Sequence, residues 1–271
     1  MTAPADGSTG RPTDESHGRR PSLDELRAVC QPPSTMNRRN AEHWLARLVL
    51  RDISLRATRL LVRTPVTANQ LTGLMIVVGL LAAVAAGASG WITGVLAFVG
   101  VLLYFMLDLC DGEVARWHRR TSITGVYLDR VGHYVVEAAL LTAYGFRAGD
   151  QQLGGWSTLG VAAALLAVLV KAESDLVDVA RVRSGASKAT DASVELRSAA
   201  LGAARRAGQV LKVHQLTGAL ESSVLLLVAV AVDAATDSLD GSRVLVVVMA
   251  AIGAVMVVLH LASILLSRRL D

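Results

Sequence analysis

Stretches of almost uninterrupted apolar residues, each about twenty long, alternate with short polar breaks over the last three quarters of the chain. They cover about 70–88, 91–109, 124–146, 156–177, 216–235 and 243–266. A hydrocarbon core of ~30 Å takes roughly 20 helical residues to cross, so the pattern predicts six transmembrane helices. Gly87 to Gly90 and Gly149 to Gly155 mark two short turns between them. From about 41 to 63, Trp44, Leu45, Leu48, Val49, Ile53, Leu60 and Leu61 recur at helical spacing among Arg47, Arg51, Arg56, Arg59 and Arg63. An apolar stripe with a tryptophan on an arginine-rich helix suits the plane of the bilayer interface, and the alternative is a soluble helix covering the domain. Pro65 ends it.

Residues 1–40 are rich in Pro, Ser, Gly, Asp and Arg without apolar periodicity, and read as a disordered tail. The stretch from about Arg181 to Gln215 is polar and Ala/Arg-rich, expected to be partly helical and outside the bilayer. The predicted fold class is therefore all-α. It is a polytopic membrane domain, 41–271, with six transmembrane helices preceded by an interfacial amphipathic helix at 41–63.

Composition agrees with this pattern. Of 271 residues, 52% are hydrophobic, too many for an ordinary soluble domain. The first 40 residues hold no apolar h-region, so insertion is expected to use the first transmembrane helix. Cys30 and Cys110 have neither disulfide nor zinc spacing.

The net charge of +4 is unevenly distributed. With the N-terminus inside, inner loops hold Arg116, Arg119, Arg120, Arg181, Arg183, Lys188, Arg197, Arg205, Arg206, Lys212, Arg268 and Arg269. The other side has Arg147 and Arg243 beside Asp150, Asp233, Asp237 and Asp240. The positive-inside rule then makes both termini cytoplasmic, in a multi-pass protein of the plasma membrane.

One polar stretch between the second and third segments breaks this economy, DLCDGEVARWHRRTSITGVYLDRVGH, from Asp108 to His133. Asp108 and Asp111 are three apart and share a helix face; Gly125, Asp129, His133 and Glu137 are four apart and form a second stripe. A hairpin through Arg116–Thr124 would join the stripes. Three carboxylates together repel unless a cation compensates. Magnesium or manganese is the natural cation for an oxygen-rich site that also takes phosphate. Two such ions would stabilise an in-line phosphoryl displacement. Gly112 and Ala115 leave room for a base or a diphosphate, and Arg116 can pair with phosphate. Ser122 and Thr124 can cap the third helix or donate to phosphate. Any one of these positions alone reads as an interface charge or a packing residue, but their combination does not.

The stretch resembles the signature of the CDP-alcohol phosphotransferases (CDP-alcohol phosphatidyltransferases), D-x2-D-G-x2-A-R-x8-G-x3-D-x3-D. Asp108, Asp111, Gly112, Ala115, Arg116, Gly125 and Asp129 match its first seven positions with every spacing kept. The Thr67-Ala68-Asn69-Gln70-Leu71-Thr72 entry is similar to the family's too, with Ala68 where Pro is frequent. The resemblance covers about 41–266.

It implies transfer of a substituted phosphoryl group from a CDP-linked donor to an alcohol, with release of CMP. CDP-diacylglycerol and a small polyol or polyol phosphate are the expected substrates, in phospholipid biosynthesis. By matched position, Asp108, Asp111 and Asp129 would bind two Mg2+ (or Mn2+) ions. Asn69, Thr72, Gly112, Ala115, Arg116, Ser122 and Gly125 would line the CDP donor. The implied partners are the CDP-linked lipid donor, the alcohol acceptor and membrane lipids, not nucleic acid. A homodimer is also typical of the family.

The departure is His133, where the family has a fourth Asp read as metal ligand and general base. A neutral imidazole can take an alcohol proton or bind a metal, manganese more readily than magnesium. Glu137, one turn on, is expected to hydrogen-bond it. Lys171, Glu173, Asp175 and Asp178 are candidates for an acceptor pocket, or ordinary flanking charge. Two other readings stay open: an enzyme using a CDP-activated head group, and a catalytically silent relative that binds nucleotide or lipid.

Overall fold

The structure, a computed structural model, describes residues 21–32, 50–185, 216–267 and 270. Within them lie eight helices: α1 (Leu23–Cys30), α2 (Arg51–Leu61), α3 (Ala68–Gly87), α4 (Trp91–Trp117), α5 (Ile123–Ala148), α6 (Gly155–Arg183), α7 (Ala219–Thr236) and α8 (Asp240–Leu265). No strand occurs among the described residues. Of these, α3, α4, α6, α7 and α8 are long and apolar enough to cross a membrane.

The third expected span departs from the prediction. Helix α5 is 26 residues long, but Asp129, Arg130, His133, Glu137 and Arg147 dilute its apolar run, so the apolar spans number five among the described residues. Its surroundings supply the reason. It packs against α3, α6, α7 and α8, and its buried Glu137 and Arg147 meet protein where the polar side chains of an outer helix would meet lipid. It also keeps company with α3 along its length. A Cβ on Gly125 would fall 2.7 Å from Asn69 Oδ1 at one end, and Arg147 bonds the carbonyls of Ala88 and Gly90 at the other.

Local chemistry sets the helix ends. Thr67 and Gln70 form a reciprocal capping box at the start of α3. The Ser122 hydroxyl accepts the Gly125 N–H at 2.9 Å and caps α5. Gly90, at φ 97°, makes the left-handed turn between α3 and α4. Helix α4 does not stop near 109; it runs through Gly112 to Trp117. Its 27 residues reach about 40 Å at 1.5 Å each, ~10 Å more than the hydrocarbon core. Asp108 to Arg116 therefore ride on its last turns.

The α3, α4 and α5 helices meet over buried Met75, Tyr104, Val136 and Leu140. Between α5 and α6, a Cβ on Gly145 would sit 2.7 Å from the Gly160 Cα, so these backbones touch. The outward faces are apolar, as at exposed Val84 and Val258. That is the pattern of a bundle solvated by lipid.

Two N-terminal expectations change. Leu23–Cys30, inside the stretch read as disordered tail, is a helix with a capping box from Ser22 and Glu25. Its buried Leu26 and Cys30, one helical face, dock it on α2 and α4. Helix α2 turns small polar residues as well as apolar ones to the protein: Ser54, Leu55 and Thr58 are fully buried, while Leu60 is exposed. The rest of the predicted interfacial helix, 41–49, and most of 181–215 lie outside the described residues.

Candidate functional site

Helices α4 and α5 each bring one polar face to the same end of the bundle. On α4, Tyr104, Asp108 and Asp111 follow at intervals of four and three; on α5, Gly125, Asp129 and His133 follow at four. The two faces meet at His133. Its Nε2 lies 3.1 Å from Asp108 Oδ1 and 3.4 Å from Asp129 Oδ1. One ligand atom from each of these three residues falls within 4.8 Å of the others. Two carboxylates and an imidazole converging on one point, none of them fully buried, form a donor set that fits a divalent cation. Asp108 and Asp129 would hold it through oxygen, with His133 Nε2 directed at the same point as their hydrogen-bond partner.

Asp111 stands apart from that group. It is buried, and its Oδ2 accepts the Thr72 hydroxyl at 2.5 Å, tying α4 to α3. Thr72 thus meets a carboxylate. Asn69, Ser122 and Gly125 come together where α3 and α5 begin, and only a glycine at 125 leaves Asn69 and Ser122 their space. Arg116 donates through Nε to the Cys30 carbonyl at 2.7 Å, at the end of α1. Its terminal nitrogens lie over Gly112, where a Cβ would fall 3.0 Å and 3.3 Å from them. Gly112 therefore makes room for Arg116, and Ala115 sits half-buried on the same turns.

Glu137 does not bond His133. It pairs with Lys171 of α6 at 2.7 Å, because at its depth α5 faces α6. The partner on His133 Nδ1 is the Tyr104 hydroxyl, at 2.5 Å. Asp175 receives the Tyr134 hydroxyl at 2.9 Å and Arg130 at 3.6 Å, and Glu173 pairs with His260 of α8 at 2.9 Å. The charges on α6 weighed as an acceptor pocket thus include at least three engaged with neighbouring helices.

Glu113, an unassigned position within the signature, is the most heavily bonded acid of the cluster. Fully buried, it accepts from Gln31, Ser54 and Thr58 at 2.7–2.8 Å, with Arg51 at 3.9 Å. It seats α1 and α2 on α4. Burial, with the Glu113 charge second, pushes the neighbouring Cys30 thiol up to about 11.

Taken together, the described residues form an all-helical, multi-pass membrane bundle with an acid–imidazole cluster at one end. Residues 65–193, just under half of the chain, match the family model described as CDP-alcohol phosphatidyltransferase. The family consists of transferases that take a phosphatidyl group from a CDP-linked alcohol and in general depend on a divalent metal. None of the curated proteins matches the chain.

Proposed function

We propose that the protein transfers the phosphatidyl group of CDP-diacylglycerol to a small alcohol or polyol phosphate, releasing CMP, in phospholipid synthesis. The observation that carries this reading is His133 Nε2, held between Asp108 and Asp129 where the signature ends. His133 accepts the proton of the acceptor hydroxyl at Nε2. The acceptor oxygen then bonds to the phosphorus distal to cytidine, and the bridging P–O bond to CMP breaks. Asp108, Asp129 and, by its place in the signature, Asp111 would hold Mg2+ or Mn2+ in a two-ion site, which would supply charge stabilisation on the diphosphate. Asn69, Ser122 and Gly125 bind the cytidine end of the donor together with Thr72 and Ala115, while Gly112 and Arg116 bind its phosphates.

In this reading α5 is the sixth crossing, supported by its contacts with α3 at both ends. The site faces the cytoplasm, supported by the basic residues around it.

The test is CMP release by the purified protein with CDP-diacylglycerol, a panel of alcohols and either metal. Turnover with at least one alcohol is expected, with His133→Asp active and His133→Ala strongly impaired. Binding of the donor without CMP release under every condition would make the protein a silent relative. An unimpaired His133→Ala would remove the base role.

A further inference from the structure

A carboxylate has two equivalent oxygens and works in either orientation, whereas a neutral imidazole has one N–H and one lone pair on distinct atoms. The substitution of His133 for the family's fourth Asp therefore needs something more: a group that decides which nitrogen faces the site. Tyr104 is built for this. It is fully buried on α4, one turn before Asp108, with its hydroxyl 2.5 Å from His133 Nδ1. The two rings meet edge to face, 5.7 Å apart at 87°.

The tyrosine is itself held. Phe105 packs edge-on against it at 5.0 Å. Gly79 of α3 leaves the space it occupies, since a Cβ there would fall 2.9 Å from the Tyr104 ring and 2.6 Å from Val136. Its hydroxyl is both donor and acceptor. Accepting Nδ1–H, it leaves the Nε2 lone pair facing the site, the form the base role needs; donating to Nδ1 would place the proton on Nε2 and block that role.

We propose that Tyr104 is a positioning residue that makes Nε2 the working nitrogen of His133, so that Tyr104 and His133 together replace one aspartate. This rests on the active-site reading above and deepens it. Tyr104 touches no substrate; it acts through the imidazole.

The experiment is a double-mutant cycle on the full chain: wild type, Tyr104→Phe, His133→Asp and the double variant. Phenylalanine keeps the ring and therefore the core. Three quantities are measured: Mn2+ affinity, the kcat and KM of CMP release, and the 15N spectrum of labelled histidine, the His133 signal being the one lost in His133→Asp. In the wild-type background, Tyr104→Phe is expected to lower Mn2+ affinity and kcat about 10–100-fold, the usual cost of losing such an outer partner. KM for the donor stays near its original value, and the His133 signal moves between tautomer positions. In the His133→Asp background the same change is expected to matter by no more than about twofold. Equal losses in both backgrounds, or an unmoved His133 signal, would overturn the proposal and leave Tyr104 as packing. If the wild type releases no CMP at all, the function reading fails, while metal affinity and the histidine spectrum still decide the Tyr104–His133 coupling.

Discussion

The two ends of the bundle both bury charge, and they do so in opposite ways. At the end away from the signature, Arg147 is only 2% exposed and gives its donors to the carbonyls of Ala88 and Gly90 and to Ser242. Ser242 in turn gives both its N–H and its hydroxyl to Asp233. Donors and acceptors balance there, and the network joins α5 and α8 to the α3–α4 turn. At the signature end, Asp108 and Asp129 share one imidazole nitrogen, and their side chains remain 21% and 43% exposed. Acceptors outnumber donors. Charge that is satisfied by the protein is structural; charge left in surplus beside a partly open surface calls for a ligand. Glu113 shows that the distinction is chemical, not positional, since it lies within the signature yet has its donors supplied by α1 and α2.

This contrast can be broken most sharply at the surplus end. Asp108→Asn should cut CMP release by about a thousandfold, the several kcal/mol expected from weakening a metal-held charge clamp. Its thermal midpoint in detergent should stay close to that of the parent, because a carboxylate in surplus contributes little to folding. A large fall in the midpoint would mean that Asp108 is structural after all.

Arg147→Ala should do the reverse. Removing a buried, fully paired guanidinium orphans several acceptors and should cost about 3 kcal/mol of stability. Chemical denaturation would read this, while kcat of the surviving folded fraction should hold.

Glu113→Ala leaves the donors of Gln31, Ser54 and Thr58 without their carboxylate and should cost about 2 kcal/mol. The local sign is release of α1. Buried Cys30, whose thiol is held up at about 11 and so stays protonated at neutral pH, should resist alkylation in the parent and react readily in the variant. Unchanged alkylation would mean that α1 does not depend on Glu113.

The smallest effect is expected at Gly125→Ala. Its Cβ would press on Asn69 Oδ1 from 2.7 Å and force a shift of about 1–2 kcal/mol. KM for the CDP donor should rise roughly tenfold, in proportion to that energy, with kcat little changed.

The chain itself carried much of this. Apolar runs of about twenty residues predict helices α3, α4, α6, α7 and α8, because crossing length depends only on rise per residue and local hydropathy. The spacing of Asp108, Asp111, Asp129 and His133 put each on a shared helix face before any packing was known. What spacing cannot provide is the partner across a helix interface. Glu137 is one turn from His133 in sequence, yet its contact is Lys171. Tyr104 has the periodicity of a core residue, and only the packing of α4 and α5 side by side on α3 makes it the neighbour of Nδ1. Helix α1 escaped notice because eight residues with a single apolar face give too weak a signal amid polar sequence.

Local sequence thus determined the helices, their faces and the acids they carry, since each depends on residues within a few turns. Tertiary structure alone decided which charges are satisfied and which remain in surplus, because that balance is struck between residues far apart in the chain. Gln31 and Thr58 reach Glu113 across tens of residues, and Asp108 reaches His133 only where α4 and α5 meet.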